Sequence, residues 1–247
     1  ARPKLQPKDH TLTRNAARVL SSVVSAVEAR RPKSTEGKPA RWYEGDDLTE
    51  FYVRRAALSA LQFQPDQAGR VYLIALGVFM DHTGTLQKFP GTAQLVSQVE
   101  PEHMRKRRLE VLGKPTIHNL QDLALHFFLS AFLTSTFGAE PAFGVGIAKE
   151  YSDANGGTGF SFVDLAADRA GVEFAKQVSA GRISLDTLSE EFQVADYMPP
   201  TEDLAEGLTL EEFRAQYGDV KSSAFKEKLA EIEQLVLHLP VYRNSST

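Results

Sequence analysis

The chain of 247 residues is 42% hydrophobic and 24% charged, with a formal net charge of −4. These proportions describe a folded chain long enough to bury a core, and they exclude collagen-like, wholly disordered and polytopic membrane classes. The slight acidic surplus argues against a nucleic-acid partner, and the absence of cysteine removes disulfides, thiolate nucleophiles and Cys-ligated metals.

The chain opens Ala1-Arg2-Pro3-Lys4, the form left by signal-peptide cleavage, so the expected location is periplasmic or secreted. Residues 11–30 place Val19, Leu20, Val23, Val24 and Val27 on one helical face, ended by Pro32. Residues 31–40 read as an exposed connection. Asp47 with Glu50 predicts a capping box for a helix over 48–62. After Pro65 a third helix carries Val71, Tyr72, Ala75, Leu76 and Phe79 and ends near Asp81-His82. Residues 84–91 read as loop, followed by helical pieces over 93–99 and 102–112. Thr116 is expected to open the most apolar helix, ending near Phe137. Its apolar stretch, interrupted by His126, Ser130 and Thr134-Ser135-Thr136, is shorter than the roughly 20 residues a spanning helix needs, so no transmembrane segment is expected.

A helix over 140–153 comes next, in which Gly144 and Gly146 predict close helix packing. Asn155-Gly156-Gly157-Thr158-Gly159 is loop, and Ser161 with Asp164 caps a helix to about Val178. Ser184 starts a short helix, Tyr197-Met198-Pro199-Pro200 breaks the chain, Thr209 with Glu212 caps another helix, and a last one covers 222–239. The expected fold is all-α: one domain over 1–247, with about ten helices around a central apolar helix pair. Within it, 1–41 is a basic N-terminal segment with ten Lys/Arg against three acids, 113–180 is the core with the candidate site, and 184–247 is an acidic helical extension. The two charged ends read as solvated faces able to pack on each other, or the basic arm as a contact for an anionic polymer.

Chemistry is concentrated in the core segment. His118, Asp122, His126 and Ser130 recur every four residues, which puts them in one stripe of a helix. Polar groups on an apolar helix must be paired or used; this stripe suits a hydrogen-bonded seam, a metal ligand set or acid–base work. Glu150 ends an apolar helix beside the glycine-rich loop, the placement of a carboxyl partly desolvated yet facing a cleft, as a general acid requires. Asp153, Asn155 and Asp164 occupy positions of a helix–loop–helix calcium pattern, which departs from it at Gly157, Thr158 and Asp164. Asp164 is explained by the helix cap, while Asp168, one turn further on, is not.

Taken together, Asp122-x-x-x-His126-Phe127, Gly146-x-x-Lys149-Glu150-x-x-Asp153 and Ser161-x-x-Asp164-Leu165-x-Ala167-Asp168-x-x-Gly171 resemble the pattern of YfiM-like bacterial envelope proteins over residues 122–171. The resemblance implies a bacterial envelope setting without an assigned activity; this chain differs in having no lipid-attachment Cys and long extensions on both sides. More loosely, a Glu ending a buried helix before a Gly/Ser-rich loop resembles the goose-type lysozyme and lytic transglycosylase group, where Tyr151 here replaces the expected Ser. That likeness implies an exported peptidoglycan hydrolase with Glu150 as general acid and an envelope glycan polymer as partner, without a cofactor. His126, Asp168, Asp122 and Tyr151 would orient or stabilise, and Asp153, Ser161 and Trp42 would bind substrate. Two alternatives stand beside it: a metal site of His118, Asp122, His126 and Glu150, and a non-catalytic envelope scaffold fixed by the same buried network.

Overall fold

In the computed structural model, residues 7–30 and 44–243 are described; Pro32, the 31–40 connection and Trp42 lie outside them. Helix α1 (Pro7–Arg30) buries Leu12, Ala16, Val19, Leu20, Val23, Val24 and Val27, the face its spacing predicts. Strand β1 (Glu44–Gly45) leads into α2 (Asp46–Ala60), which begins behind Gly45 at φ 89° and has no side-chain cap. The expected Asp47/Glu50 capping box is therefore not formed: the helix starts at Asp46, which puts Asp47 inside the first turn, and Glu50 is engaged elsewhere. Asp46 accepts from Thr116 Oγ1 and from the amides of His118 and Asn119, and Glu50 accepts from Arg54 and from the amide of Val194.

Helix α3 (Pro65–Met80) is apolar on nearly every side, with every residue from Val71 to Met80 buried. At its end the Asp81 carboxylate accepts from the amides of Gly84, Thr85 and Leu86 and folds a one-turn helix, α4 (Thr85–Lys88), where a loop was expected. Helices α5 (Ala93–Val99) and α6 (Glu102–Val111) follow. Arg108 of α6 is 1% exposed and makes a two-pronged pair with Glu100 at 2.7 and 2.9 Å, while donating to the Phe79 and Asp81 carbonyls. Strand β2 (Lys114–Pro115) pairs in parallel with β1.

The most apolar helix, α7 (Gln121–Phe137), starts five residues later than Thr116. Ile117 and Leu120 exchange backbone hydrogen bonds across His118 and Asn119, both at positive φ (51° and 63°), the signature of a tight primed turn. Asp46 holds that turn from outside by its two amides, which a local reading of 116–120 does not contain. Helix α8 (Ala139–Ala154) and α9 (Phe162–Ser179) complete the core segment, and α10 (Leu185–Glu191), α11 (Val194–Tyr197), α12 (Leu210–Tyr217), α13 (Ser223–Leu237) and α14 (Pro240–Arg243) close the chain. Fourteen helices among the described residues make an all-α single domain; the excess over ten comes mainly from the one-turn helices α4, α11 and α14.

Two glycines set the central packing. A Cβ on Gly171 of α9 would lie 2.1 Å from the Phe127 carbonyl oxygen, and one on Gly77 of α3 would lie 2.5 Å from Phe132 Cβ. Helix α7 is thus gripped between α3 and α9 at backbone-to-backbone distance, and Phe127, Phe128 and Phe132 are buried in the seams. Helix α8 lies outside this stack and buries only Ala142, Gly146, Glu150 and Ala154. Of its glycines, Gly146 is a close contact as expected, whereas Gly144 has nothing within 4 Å.

Candidate metal centre

The polar residues converge where α7, α8 and α9 meet. His126 is 4% exposed, in the middle of α7. Its Nδ1 donates to Asp168 Oδ1 at 3.2 Å, and Ser130 Oγ, one turn along α7, donates to the same oxygen at 2.7 Å. Asp168 reaches across because Gly146 leaves room: a Cβ there would fall 2.2 Å from Asp168 Oδ2. The imidazole is therefore fixed in orientation by one face of α9, and its second nitrogen is aimed the other way.

That second nitrogen, Nε2, is buried and has no hydrogen-bond partner among the described residues. Three carboxylate oxygens surround it instead, Asp164 Oδ2 at 3.8 Å, Asp122 Oδ1 at 4.0 Å and Glu150 Oε1 at 4.0 Å. One ligand atom each from Asp122, His126 and Asp164 lies within 4.8 Å of the others, the spread of a set that closes around an ion by small side-chain movements. Asp122 has a side chain 64% exposed and forms the mouth; Glu150 and Asp164 form the floor.

A local exchange of partners frees Asp164. Ser161 caps α9 by accepting from the Asp164 amide, as predicted, and a full capping box would return the Asp164 carboxylate to the Ser161 amide. Here that amide donates to Glu150 Oε2 at 3.1 Å, so Asp164 points to His126. Lys149 Nζ covers the other Glu150 oxygen at 3.0 Å and also binds Asp153 at 3.0 Å.

The electrostatics follow from four carboxylates facing only two cationic groups, His126 and Lys149. Burial raises the pKa of Glu150 against the pull of Lys149 and His126. Burial likewise pushes Asp164 up to about 7, with Glu150 and Asp122 adding to it and His126 opposing. Burial works against the charge on His126, but Asp168 and Asp164 outweigh it and push its pKa up to about 9. The cluster therefore holds extra protons at neutral pH, which is how a site short of positive charge balances itself.

The structure brings together Asp122, His126, Ser130, Glu150 and Asp168 of the predicted residues, and joins to them Asp164, which the sequence placed in a helix cap and a calcium pattern. His118 is left out: it sits in the turn before α7, half-buried, with its amide on Asp46. Tyr151 turns to α12, its ring 5.9 Å from Phe213 and its hydroxyl accepting from Arg214. Ser161 is a buried cap, Asp153 is paired with Lys149, and Asn155 is exposed at the end of α8. The two carboxylates of the calcium pattern are thus engaged separately. In the sequence Asp164 reads as a cap and as a calcium-pattern position; its four-residue spacing to Asp168 is the signal that both line one face of α9. Comparison with protein families, characterised proteins and solved structures gives no significant match to this chain.

Proposed function

We propose that the protein is a metal-dependent hydrolase of the bacterial cell envelope, whose centre holds one divalent cation on Asp122, His126 and Asp164 with Glu150 alongside. One observation carries this reading: a buried imidazole nitrogen without a hydrogen bond, facing carboxylate oxygens from three directions. A mixed nitrogen–oxygen donor set without sulfur suits manganese, zinc or iron. The Asp168–His126 contact is the outer carboxylate that a metal-bound histidine usually has, and it fixes Nε2 as the donating atom. A bound cation would polarise a substrate oxygen and lower the pKa of a water at the open Asp122 side. Glu150, whose ionisation burial disfavours, is the group placed to give a proton to the leaving group. The resemblance of 122–171 to YfiM-like proteins supports the envelope setting, with a glycan polymer as substrate.

Elevation of the Glu150 pKa also favours a second reading, in which Glu150 acts as a general acid on peptidoglycan without a metal. Titration of chelator-treated protein with Mn²⁺ and Zn²⁺ by calorimetry, combined with peptidoglycan digestion, separates the two. The metal reading expects one cation per chain, an affinity loss of about 100-fold or more in His126→Ala and Asp164→Asn, and fragment release that stops with chelator and returns with metal. Release indifferent to chelator but absent in Glu150→Gln selects the second reading. A chain that binds no cation and releases nothing is a scaffold, and both readings fall.

A further inference from the structure

The C-terminal end of α9 borders a second hollow, of about 710 Å³, closed on its other sides by the end of α13 and by α14. Its walls carry Lys176, Arg182, His238 and Arg243, with Tyr242 and Leu237 as the apolar part. Among the described residues the only carboxylate on the wall is that of Glu173, which is 2% exposed and already shared between Lys176 and Gln177. Gln177 in turn accepts from Arg182 Nε. The buried side chains of Glu173 and Gln177 therefore hold the guanidinium of the exposed Arg182 at the rim through its Nε. Arg243 comes from a different helix and has no carboxylate partner among the described residues.

A cation at a helix C-terminus has an ordinary explanation in the helix dipole, and Lys176 fits it. Arg243, in the last turn of α14, fits it too, but the dipole does not account for Arg182, beyond the end of α9, and Arg243 bordering one hollow from two segments. Two planar forks over a partly apolar hollow suit oxyanions, which arginine grips with two parallel bonds. The volume exceeds that of a bare inorganic ion and lies within the usual range for small-molecule sites.

We infer that this hollow binds a small organic molecule through a phosphate or carboxylate group held by Arg182 and Arg243, with Leu237 and Tyr242 against its apolar part. The inference stands apart from the metal centre, since no residue is shared.

Pyrophosphate and citrate serve as probes for the two oxyanion types, measured by calorimetry on metal-free protein in chelator at low and high salt. The expected result is saturable one-to-one binding of at least one probe, weakened by salt. Arg182→Gln and Arg243→Gln should each reduce the affinity about tenfold or more, since a charge-assisted hydrogen bond contributes roughly 1.5–3 kcal/mol. His126→Ala should leave it unchanged. Binding of pyrophosphate alone identifies a phosphate ligand; binding of both identifies a general oxyanion site. No saturable binding of either probe, or binding retained in the Arg182→Gln/Arg243→Gln double variant with its circular dichroism intact, overturns the inference.

Discussion

The two nitrogens of His126 have opposite fates, one held by Asp168 and one facing three carboxylates at 3.8–4.0 Å, and each can be probed by a single substitution. Asp168→Asn keeps the shape of the orienting group but removes its charge; it should weaken cation binding about 10- to 100-fold while the protein stays folded. The metal-free protein also has a pH signature. Asp164 (ordinary value 3.8, folded about 7) and His126 (6.5, folded about 9) both hold a proton more tightly in the folded chain. Each contributes its stabilisation fully below the ordinary value and loses it as pH rises through the folded one. The melting temperature in chelator should therefore fall from about pH 4 to about pH 9, in two overlapping steps, and Asp164→Asn should remove the lower step. A flat profile would show that neither group changes its proton affinity on folding. The stripe Asp122, His126 and Ser130 was legible in the sequence because four-residue spacing survives in any helix. Asp164 was hidden because a cap explained it locally, and only the arrival of Glu150 at the Ser161 amide releases it.

Helix boundaries divide in the same way between what neighbours in sequence decide and what distant segments decide. Ser184, Thr209 and Ser222 cap their helices as read, and Thr209 with Glu212 forms the full reciprocal box, because every atom involved lies within four residues. Thr116 failed as a helix start because Asp46 imposes a turn on 117–120 from seventy residues away. Long-range contacts likewise govern the strongest links between elements. Glu100→Gln would leave Arg108 charged and buried, without its anionic partner, where α6 meets the end of α3. The expected cost is about 3–5 kcal/mol, read as a shift in the urea midpoint. Gly171→Ala would press a methyl group into the Phe127 carbonyl and should cost about 3 kcal/mol, since α7 cannot retreat with α3 behind it.

Taken whole, the molecule is a stack of α3, α7 and α9 with α1, α2 and α5 on one flank and α8, α12 and α13 on the other. Its all-α class and single-domain character were readable from helix periodicity and the near absence of strand alternation. The packing of its charged ends was not. Helix α1 lies on α2, α3, α5 and α6, and the acidic helices α12 and α13 lie on α8 and α9. Among the described ion pairs none joins the two ends: Glu28 pairs with Arg107, Glu233 with Arg169, and Lys228 with Glu231. No helix among the described residues is long and apolar enough to cross a membrane. Because the proposed centre draws its ligands from α7 and α9 of the stack, with Glu150 of α8 alongside, a cation should stabilise the entire fold. At a concentration 100-fold above its Kd the gain is about 2.7 kcal/mol, which for a chain of this length raises the melting temperature by roughly 5–11 °C. His126→Ala should abolish that rise.

Glu150 closes the glycine-rich turn by accepting the Ser161 amide from across it. Opening of that turn and dismantling of the centre are therefore one event, although residues 155–158 are themselves exposed. Deuterium uptake at the start of α9 should consequently track occupancy of the centre, slowing when the ions are supplied and accelerating when they are withdrawn.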